Sequence, residues 1–352
     1  MKIVGIGDLL IPGEYIKEGF KSFKEKNFEI KTIEWKLENF DELQKINQLI
    51  ERNGSNYYQV PDEIVSAVED ADIIITQFCP ITRRLIDNCN NLKIIGVLRG
   101  GYENIDIDYA NQNNILVINT PGRNSTAVAD FTVGMLISEC RNIAKSHREL
   151  KKGNWKRKYS NAEYVPDISG KILGLIGLGE IGIKVAKRMV GFDVKIIAYD
   201  PFVKCSDFGI EMVSLEEVMS KSDFVSLHAR VTEESKNMIN KELLSKMKKT
   251  SYLINTARSE LVDESALFKV LKDKDIAGAA LDVFDKEPPG KEYPLVSLEN
   301  VTITPHLAGG TTDAFLNSPK QLSADMIKIY TNGKPDYIIN DNKYEKISKL
   351  IK

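Results

Sequence analysis

The sequence predicts an α/β protein built from two parallel-sheet domains, and three observations carry that expectation. Short β-branched runs alternate with amphipathic stretches, the alternation starts afresh at Lys171, and 352 residues exceed what one core usually fills, about 250–300.

In the first third, strands are expected at Lys2–Ile6, Phe28–Glu34, Asp72–Thr76, Lys93–Val97 and Ile115–Ile118. Helices fall between them, as at Pro12–Lys26, where proline suits the first turn. The second series is ILGLIG, VKIIAYD, FVSLH, YLINT, IAGAALDVF and VTITP. Such nearly continuous apolar runs belong to strands covered on both faces. Between the series, Val128, Phe131, Met135, Leu136 and Ile143 recur at helical spacing. They predict one long helix over Ser125–Lys152, capped by Asn124 or Ser125 and opening the second domain. A last helix is expected over Asp313–Thr331, followed by a polar tail too short for a regulatory domain.

A formal net charge of −2 gives no global field for nucleic acid or anionic membrane, so neither is expected as a partner. The one dense basic run, Lys145–Lys158, reads as a solvated helix end. Cys79, Cys89, Cys140 and Cys205 lack metal-ligand spacing and read as reduced, mostly buried thiols, so no metal is expected. MKIVGIGD enters a strand without an apolar signal core, and no apolar run approaches a membrane span. These features predict a soluble cytoplasmic protein.

Gly177-Leu178-Gly179-Glu180-Ile181-Gly182 follows the strand KILGLI and opens the helix IGIKVAKRMV. This is the context of a dinucleotide fingerprint: the glycines permit a tight turn, close backbone approach to pyrophosphate, and helix–strand packing. The helix N-terminus would turn its unpaired N–H groups to the phosphates. Asp200 ends the next strand, eighteen residues after Gly182, where a carboxylate accepts ribose hydroxyls and repels a 2′-phosphate. Its alternative is a turn former before Pro201. The combination predicts a Rossmann-like domain binding NAD rather than NADP, with Lys204 the one residue pointing the other way. Gly5-Ile6-Gly7 lacks a third glycine and reads as a loop at a strand end.

Reduction of a keto acid needs a cation for the carboxylate, a proton donor for the carbonyl oxygen, and a group keeping that donor protonated. Arg258 follows INTA and offers a bidentate guanidinium. His306 lies in TPHLAGG, and Glu287 in DVFDKEPP could raise the histidine pKa and fix its tautomer. Each has a bland alternative: a surface ion pair, a cap or core histidine, a turn before Pro288-Pro289. Placement decides for chemistry, because all three follow strand carboxyl ends, the edge where open α/β sheets build sites. His147 reads as solvated, and His228 could line the cofactor site.

These stretches, GLGEIG, DFVSLH, INTARSELVDESAL, GAALDVFDKEP and NVTITPHLAGG, resemble the D-isomer-specific 2-hydroxyacid dehydrogenases, closely from about Leu92 to His306. The resemblance implies two Rossmann-like/flavodoxin-like domains with a cleft between them. Residues 1–119 plus 307–352 would form a discontinuous substrate domain around an NAD-binding domain of 120–306, and the protein would be a homodimer. It implies catalytic roles for Arg258, Glu287 and His306, and a contact from Asp282 to the nicotinamide amide. Thr126, His228, Ala229 and Thr256 would line the cofactor. The loop Arg99-Gly100-Gly101 would receive the substrate carboxylate on backbone N–H groups.

Some positions depart from the family pattern: Arg230 stands where proline is common, Asp130 where glutamate is, and Arg99 where a smaller residue is. Arg99 and Arg230 suggest a longer or more anionic substrate such as a sugar acid or a hydroxypyruvate-like compound, or else two structural arginines bonding loop carbonyls. A non-catalytic NAD(H)-sensing protein of corepressor type is the alternative function. A formate dehydrogenase would not need a histidine–glutamate proton donor.

Overall fold

Two parallel sheets organise the chain in a computed structural model that describes residues 1–205, 208–331 and 333–351. The first sheet contains β1 (Lys2–Gly7), β2 (Glu29–Glu34), β3 (Ile73–Thr76), β4 (Ile94–Val97) and β5 (Leu116–Asn119), in the order β2-β1-β3-β4-β5. The second contains β6 (Ile172–Ile176), β7 (Lys195–Tyr199), β8 (Glu211–Met212), β9 (Phe224–Leu227), β10 (Tyr252–Asn255), β11 (Gly278–Leu281) and β12 (Val301–Ile303). Its order is β12-β11-β10-β9-β6-β7-β8. Every ladder pair is parallel. The first order is that of flavodoxin-like sheets; the second is the doubly wound dinucleotide-binding order with one strand added at the β12 edge.

Alternation along each strand feeds two cores per sheet. In β3, Ile74 joins the core of Val4, Ile95 and Val117. Ile73 and Ile75 join Ile94, Leu116 and Leu322 on the other face. In the second sheet Leu253 packs with Val225 and Leu281, whereas Tyr252 and Ile254 pack with Leu173 and Phe224. Strands with all four residues buried are possible only because helices cover both faces.

The chain divides into two compact units, Met1–Arg123 with Thr311–Lys352, and Asn124–Gly310. Both crossings lie four residues beyond the expected 119 and 306, because Thr120–Pro121 bond into the first unit. Thr120 Oγ1 donates to the Val97 carbonyl and pairs with Ser318, and the Pro121 carbonyl accepts from Gln321.

Several elements differ from expectation. Pro12–Lys26 forms two helices, Gly13–Gly19 and Lys21–Lys24, broken at Phe20 (φ −99°, ψ 10°). Gly5 and Gly7 lie inside β1 rather than in a loop, since a Cβ at Gly5 would meet Ile16 at 2.7 Å and one at Gly7 the Gly13 nitrogen at 2.4 Å. The helix expected over Ser125–Lys152 is two helices, Ser125–Cys140 and Ile143–Lys151, interrupted where Asn142 adopts φ +59°. The last expected helix runs Thr312–Tyr330, with Pro319 inside it facing Gly19. The polar tail contains a helix, Tyr344–Ile351.

The break at Asn142 corrects the view of Lys145 as solvated. Its side chain is 4% exposed and its Nζ donates to Glu139 Oε1 at 2.6 Å, while Glu139 Oε2 accepts from Thr302 Oγ1 of β12 at 2.6 Å. Burial raises the Glu139 pKa, opposed by the Lys145 charge and hydrogen bond. Asn142, Asn161 and the Tyr252 hydroxyl continue the buried network. Glu139→Ala should destabilise the second unit by about 3–5 kcal/mol, because it strands a buried ammonium. The double change Glu139→Leu/Lys145→Met should cost less than the single one. A single-variant loss below about 1 kcal/mol in urea denaturation would show the pair to be solvated.

Candidate active site

Three conditions shape the glycine loop between β6 and the helix Glu180–Met189. Gly177 adopts φ +94°, and a Cβ there would lie 2.6 Å from the His228 carbonyl carbon. A Cβ on Gly182 would lie 2.3 Å from the Gly177 oxygen. Gly179, the helix N-cap, faces open space, so its lack of a side chain serves nothing inside the protein. That vacant approach to a helix N-terminus fits a pyrophosphate group. Glu180 pairs with Lys184 on the helix surface and Ile181 packs on the core behind β6.

Asp200 does two things at once. Oδ2 accepts from the Leu178 amide at 2.8 Å, tying the glycine loop to the end of β7, and Oδ1 accepts from Phe202 and Val203. The turn-forming role is therefore real, and Oδ2 keeps acceptor capacity for a ribose hydroxyl. His228 follows β9, its Nε2 2.9 Å from Ser226 Oγ, and burial depresses its pKa to about 3. It is a neutral imidazole beside the glycine loop, with Ala229 next to it. Thr256 pairs with Thr132 at 2.7 Å, and Thr126 is exposed on the first turn of the helix Ser125–Cys140.

The other strand ends of this unit bring three side chains together. His306 Nδ1 lies 2.8 Å from Glu287 Oε2, and Glu287 Oε1 accepts from the Phe284 amide at 3.1 Å. The imidazole is 49% exposed, and its Nε2 has no partner among the described residues, which leaves it available to a ligand. The Glu287 hydrogen bond raises the His306 pKa, against burial and the nearby Arg258 charge. Burial would raise the Glu287 pKa, but His306, the Phe284 amide and Arg258 together lower it. Arg258 is exposed just beyond β10, where the Asn255 side chain holds its carbonyl at 2.9 Å and its own Nη1 donates to the Ala257 carbonyl. A guanidinium, an imidazole and its carboxylate partner thus share one edge of one sheet.

Asp282 takes a place the sequence did not indicate. It is fully buried; Oδ1 accepts from Thr304 Oγ1 and the Leu307 amide, and Oδ2 from the Ala308 amide at 2.8 Å. It holds the loop that carries His306, whose backbone sits at φ +53°. Asn255 and Thr304 are further positioning residues that sequence reasoning missed. Their signal was only their place at the ends of β10 and β12.

In the first unit, Arg99 Nη2 pairs with Glu103 at 2.7 Å and Glu51 at 3.4 Å, and Nη1 donates to Asn47. Arg99 is therefore committed to structural bonds. The Gly100 carbonyl accepts from Asn119 at 2.6 Å, and a Cβ on Gly101 would strike Glu103 and Arg99. Arg230 is exposed in the second unit, its carbonyl accepting from Ser235. Asp130 binds Arg188, and among the described residues no cluster of metal-ligating side chains occurs.

Sheet order, glycine loop and strand-end acid define a dinucleotide-binding protein of the doubly wound α/β class. The family model for the D-isomer specific 2-hydroxyacid dehydrogenase NAD binding domain matches residues 133–308. A glyoxylate reductase of Thermofilum pendens is 38% identical over 289 residues, 79% of this chain and 84% of its own. A hydroxypyruvate reductase of Thermotoga maritima is 37% identical over 281 residues, 79% of this chain and 88% of its own. The NAD-complexed D-isomer specific 2-hydroxyacid dehydrogenase from Lactobacillus delbrueckii ssp. bulgaricus superposes with a TM-score of 0.76 at 27% identity, covering 97% of this chain and 100% of that one. The chain belongs to the D-isomer-specific 2-hydroxyacid dehydrogenase family and is an NAD-dependent oxidoreductase.

The pKa directions set a pH window. Glu287 lies below its ordinary 4.5, so its contribution is present above that value and is lost as pH falls through the lowered one. His306 lies above its ordinary 6.5, so its contribution is complete below that value and is lost as pH rises through the raised one. The two directions together place the window of the charged pair between the lowered carboxylate value and the raised imidazole value. An NMR titration of His306 should show a midpoint above 6.5 that drops in Glu287→Gln; an unmoved midpoint would mean that the carboxylate does not control the imidazole.

Proposed function

We propose that the enzyme reduces a 2-keto acid to the D-2-hydroxy acid with His306 as general acid, a role reversed in oxidation. The observation that carries this is the 2.8 Å contact between His306 Nδ1 and Glu287, which leaves Nε2 as the proton-bearing atom for the substrate oxygen. Arg258 supplies positive charge where negative charge develops on that oxygen. Glu287 holds one imidazole orientation and stabilises its protonated form. When bound, NADH supplies the hydride that C2 receives. Gly177, Gly179, Gly182 and Asp200 would hold its phosphates and adenosine ribose, with Thr126, His228, Ala229 and Thr256 around it. Asp282, fully buried and engaged by three partners of its own chain, acts as a positioning residue for the loop that carries His306.

We assign substrate binding to the first unit, expected from the sequence as residues 1–119 and 307–352 and delimited in the fold as Met1–Arg123 with Thr311–Lys352, with backbone N–H groups of Arg99, Gly100 and Gly101 receiving the carboxylate. Since the Arg99 side chain is held by two glutamates, its structural alternative is favoured over a substrate contact. Candidate substrates are hydroxypyruvate-like compounds and sugar acids. The reading includes a cytoplasmic protein, consistent with the absence, among the described residues, of any helix long and apolar enough to cross a membrane. It also includes a homodimer: Ile143, Leu150 and Trp155 expose large apolar surface on and after the helix Ile143–Lys151.

NADH oxidation against glyoxylate, pyruvate, hydroxypyruvate, its phosphate and four- to six-carbon keto sugar acids tests the reading. His306→Ala should lower kcat by about 10²–10⁴-fold on any compound turned over. Full activity in that variant would reject the histidine as proton donor. Solution mass should correspond to two chains; a monomer at micromolar concentration would remove the dimer.

A further inference from the structure

Glu287 lies in a stretch of chain that packing alone does not fix. After β11, Asp282, Val283 and Phe284 are buried, but Asp285, Lys286 and Glu287 are exposed residues of a connection without helix or strand. An exposed connection keeps several backbone conformations unless hydrogen bonds remove them. A carboxylate that stays 2.8 Å from His306 Nδ1 therefore needs its backbone anchored from outside the pair.

Two neighbouring amides supply the anchor. The Phe284 N–H donates to Glu287 Oε1 at 3.1 Å, so the carboxylate closes a turn on its own chain. The next N–H, that of Asp285, donates to Glu264 Oε2 and to the Tyr293 hydroxyl oxygen, each at 3.2 Å. The Tyr293 hydroxyl in turn donates to the Glu264 carboxylate. The Tyr293 ring stands edge-on to the Phe284 ring, with centroids 5.8 Å apart and planes at 88°. Phe284 is 6% exposed and joins the core of Leu281 and Leu295, so a ring and an amide are gripped at consecutive residues.

Both clamp residues come from other parts of the same unit. Glu264 opens the helix Glu264–Lys272, whose N-cap Asp263 accepts from the Ala266 amide. That helix follows the connection that carries Arg258, through the short turn Ser259–Leu261. Tyr293 precedes the turn Pro294–Ser297 on the way to β12. The connection after β10 is thus tied to the one after β11. Burial raises the Glu264 pKa against the Tyr293 and Asp285 hydrogen bonds, and burial together with the Glu264 bond raises that of Tyr293, so the phenol remains a donor. Asp285 is the charged group that faces both.

We infer that Glu264 and Tyr293 are positioning residues, a clamp on the Asp285 amide that holds the Glu287 carboxylate against His306 Nδ1. The charged groups acting on the imidazole itself are Glu287, Arg258 and Asp282, so the clamp works through backbone position and not through its own charge. Its consequence for catalysis rests on the role proposed above for His306; the clamp itself rests on the hydrogen bonds of this unit alone.

Proton NMR titration of the full chain tests it, with the His306 resonance identified among three histidines by its loss in His306→Gln. Glu264→Ala should lower the His306 midpoint by about 0.5 pH unit or more, an approximately threefold weaker hold on the proton. Tyr293→Phe keeps the ring on Phe284 and should lower the midpoint by about 0.3 unit; it carries the test if Glu264→Ala does not fold. Glu264→Gln retains an acceptor for the amide and should leave the midpoint within about 0.1 unit of the parent. An unmoved midpoint in the folded variants, even with lowered melting temperatures, would overturn the positioning role and leave a structural clamp only. An equal shift in Glu264→Gln and Glu264→Ala would make charge the agent and overturn it as well. The alkaline limb of keto-acid reduction should move with the midpoint in each variant. A moved midpoint with an unmoved limb would keep the clamp and reject His306 as the proton donor.

Discussion

Everything His306 can do depends on a buried carboxylate that never needs to meet the substrate. Burying the Asp282 carboxyl oxygens without partners would be costly, and three hydrogen bonds offset that cost. All three donors belong to the segment 304–308, so the same bonds that stabilise the acid also fix the segment. The histidine between them is thereby held at a positive φ that a non-glycine residue adopts only when its surroundings enforce it. Replacing the carboxylate would free the backbone that aims the imidazole at Glu287, and the 2.8 Å contact would loosen with it.

The glycine loop shows the complementary constraint, in which room rather than bonding decides. Gly177 and Gly182 are required by the protein's own backbone, since any Cβ would lie within 2.6 Å of a carbonyl carbon or oxygen. Gly179 is required by nothing in the chain. That difference separates glycines that build the turn from the one that leaves it open to a ligand. Asp200 joins the two, because one carboxylate both pins Leu178 and closes the turn after β7.

Strands were legible because burial on both faces writes continuous apolar runs, and each expected strand of either series is present to within a few residues at its ends. Helix continuity was not. The interruptions at Phe20 and Asn142 come from tertiary demands: a hydrophobic pattern persists across a break when both halves lie on the same core. β8 and the helix Tyr344–Ile351 were missed because two residues of strand or a polar amphipathic stretch leave a weak signal. Placement at strand ends located His306, Glu287 and Arg258. It did not reveal that Arg99, in a loop, would be held by Glu51, 48 positions away in the helix Phe40–Asn53, or that Lys145 in a basic run would be buried. Long-range ion pairs carry no local sequence signature.

Two histidines in one domain then illustrate how environment assigns role. His228 stands at the end of β9 with the Ser226 hydroxyl 2.9 Å from its Nε2, and burial lowers its pKa to about 3. His306 is also partly enclosed, yet the Glu287 carboxylate reverses the sign of the shift and favours the protonated ring. Arg258 opposes that charge, so the imidazolium is held by its partner rather than by the surroundings as a whole. A proton donor must also be able to give its proton up. In the role proposed above, an imidazole whose pKa is raised by one carboxylate and lowered by a neighbouring guanidinium would meet both demands, whereas His228, its pKa depressed to about 3, would not.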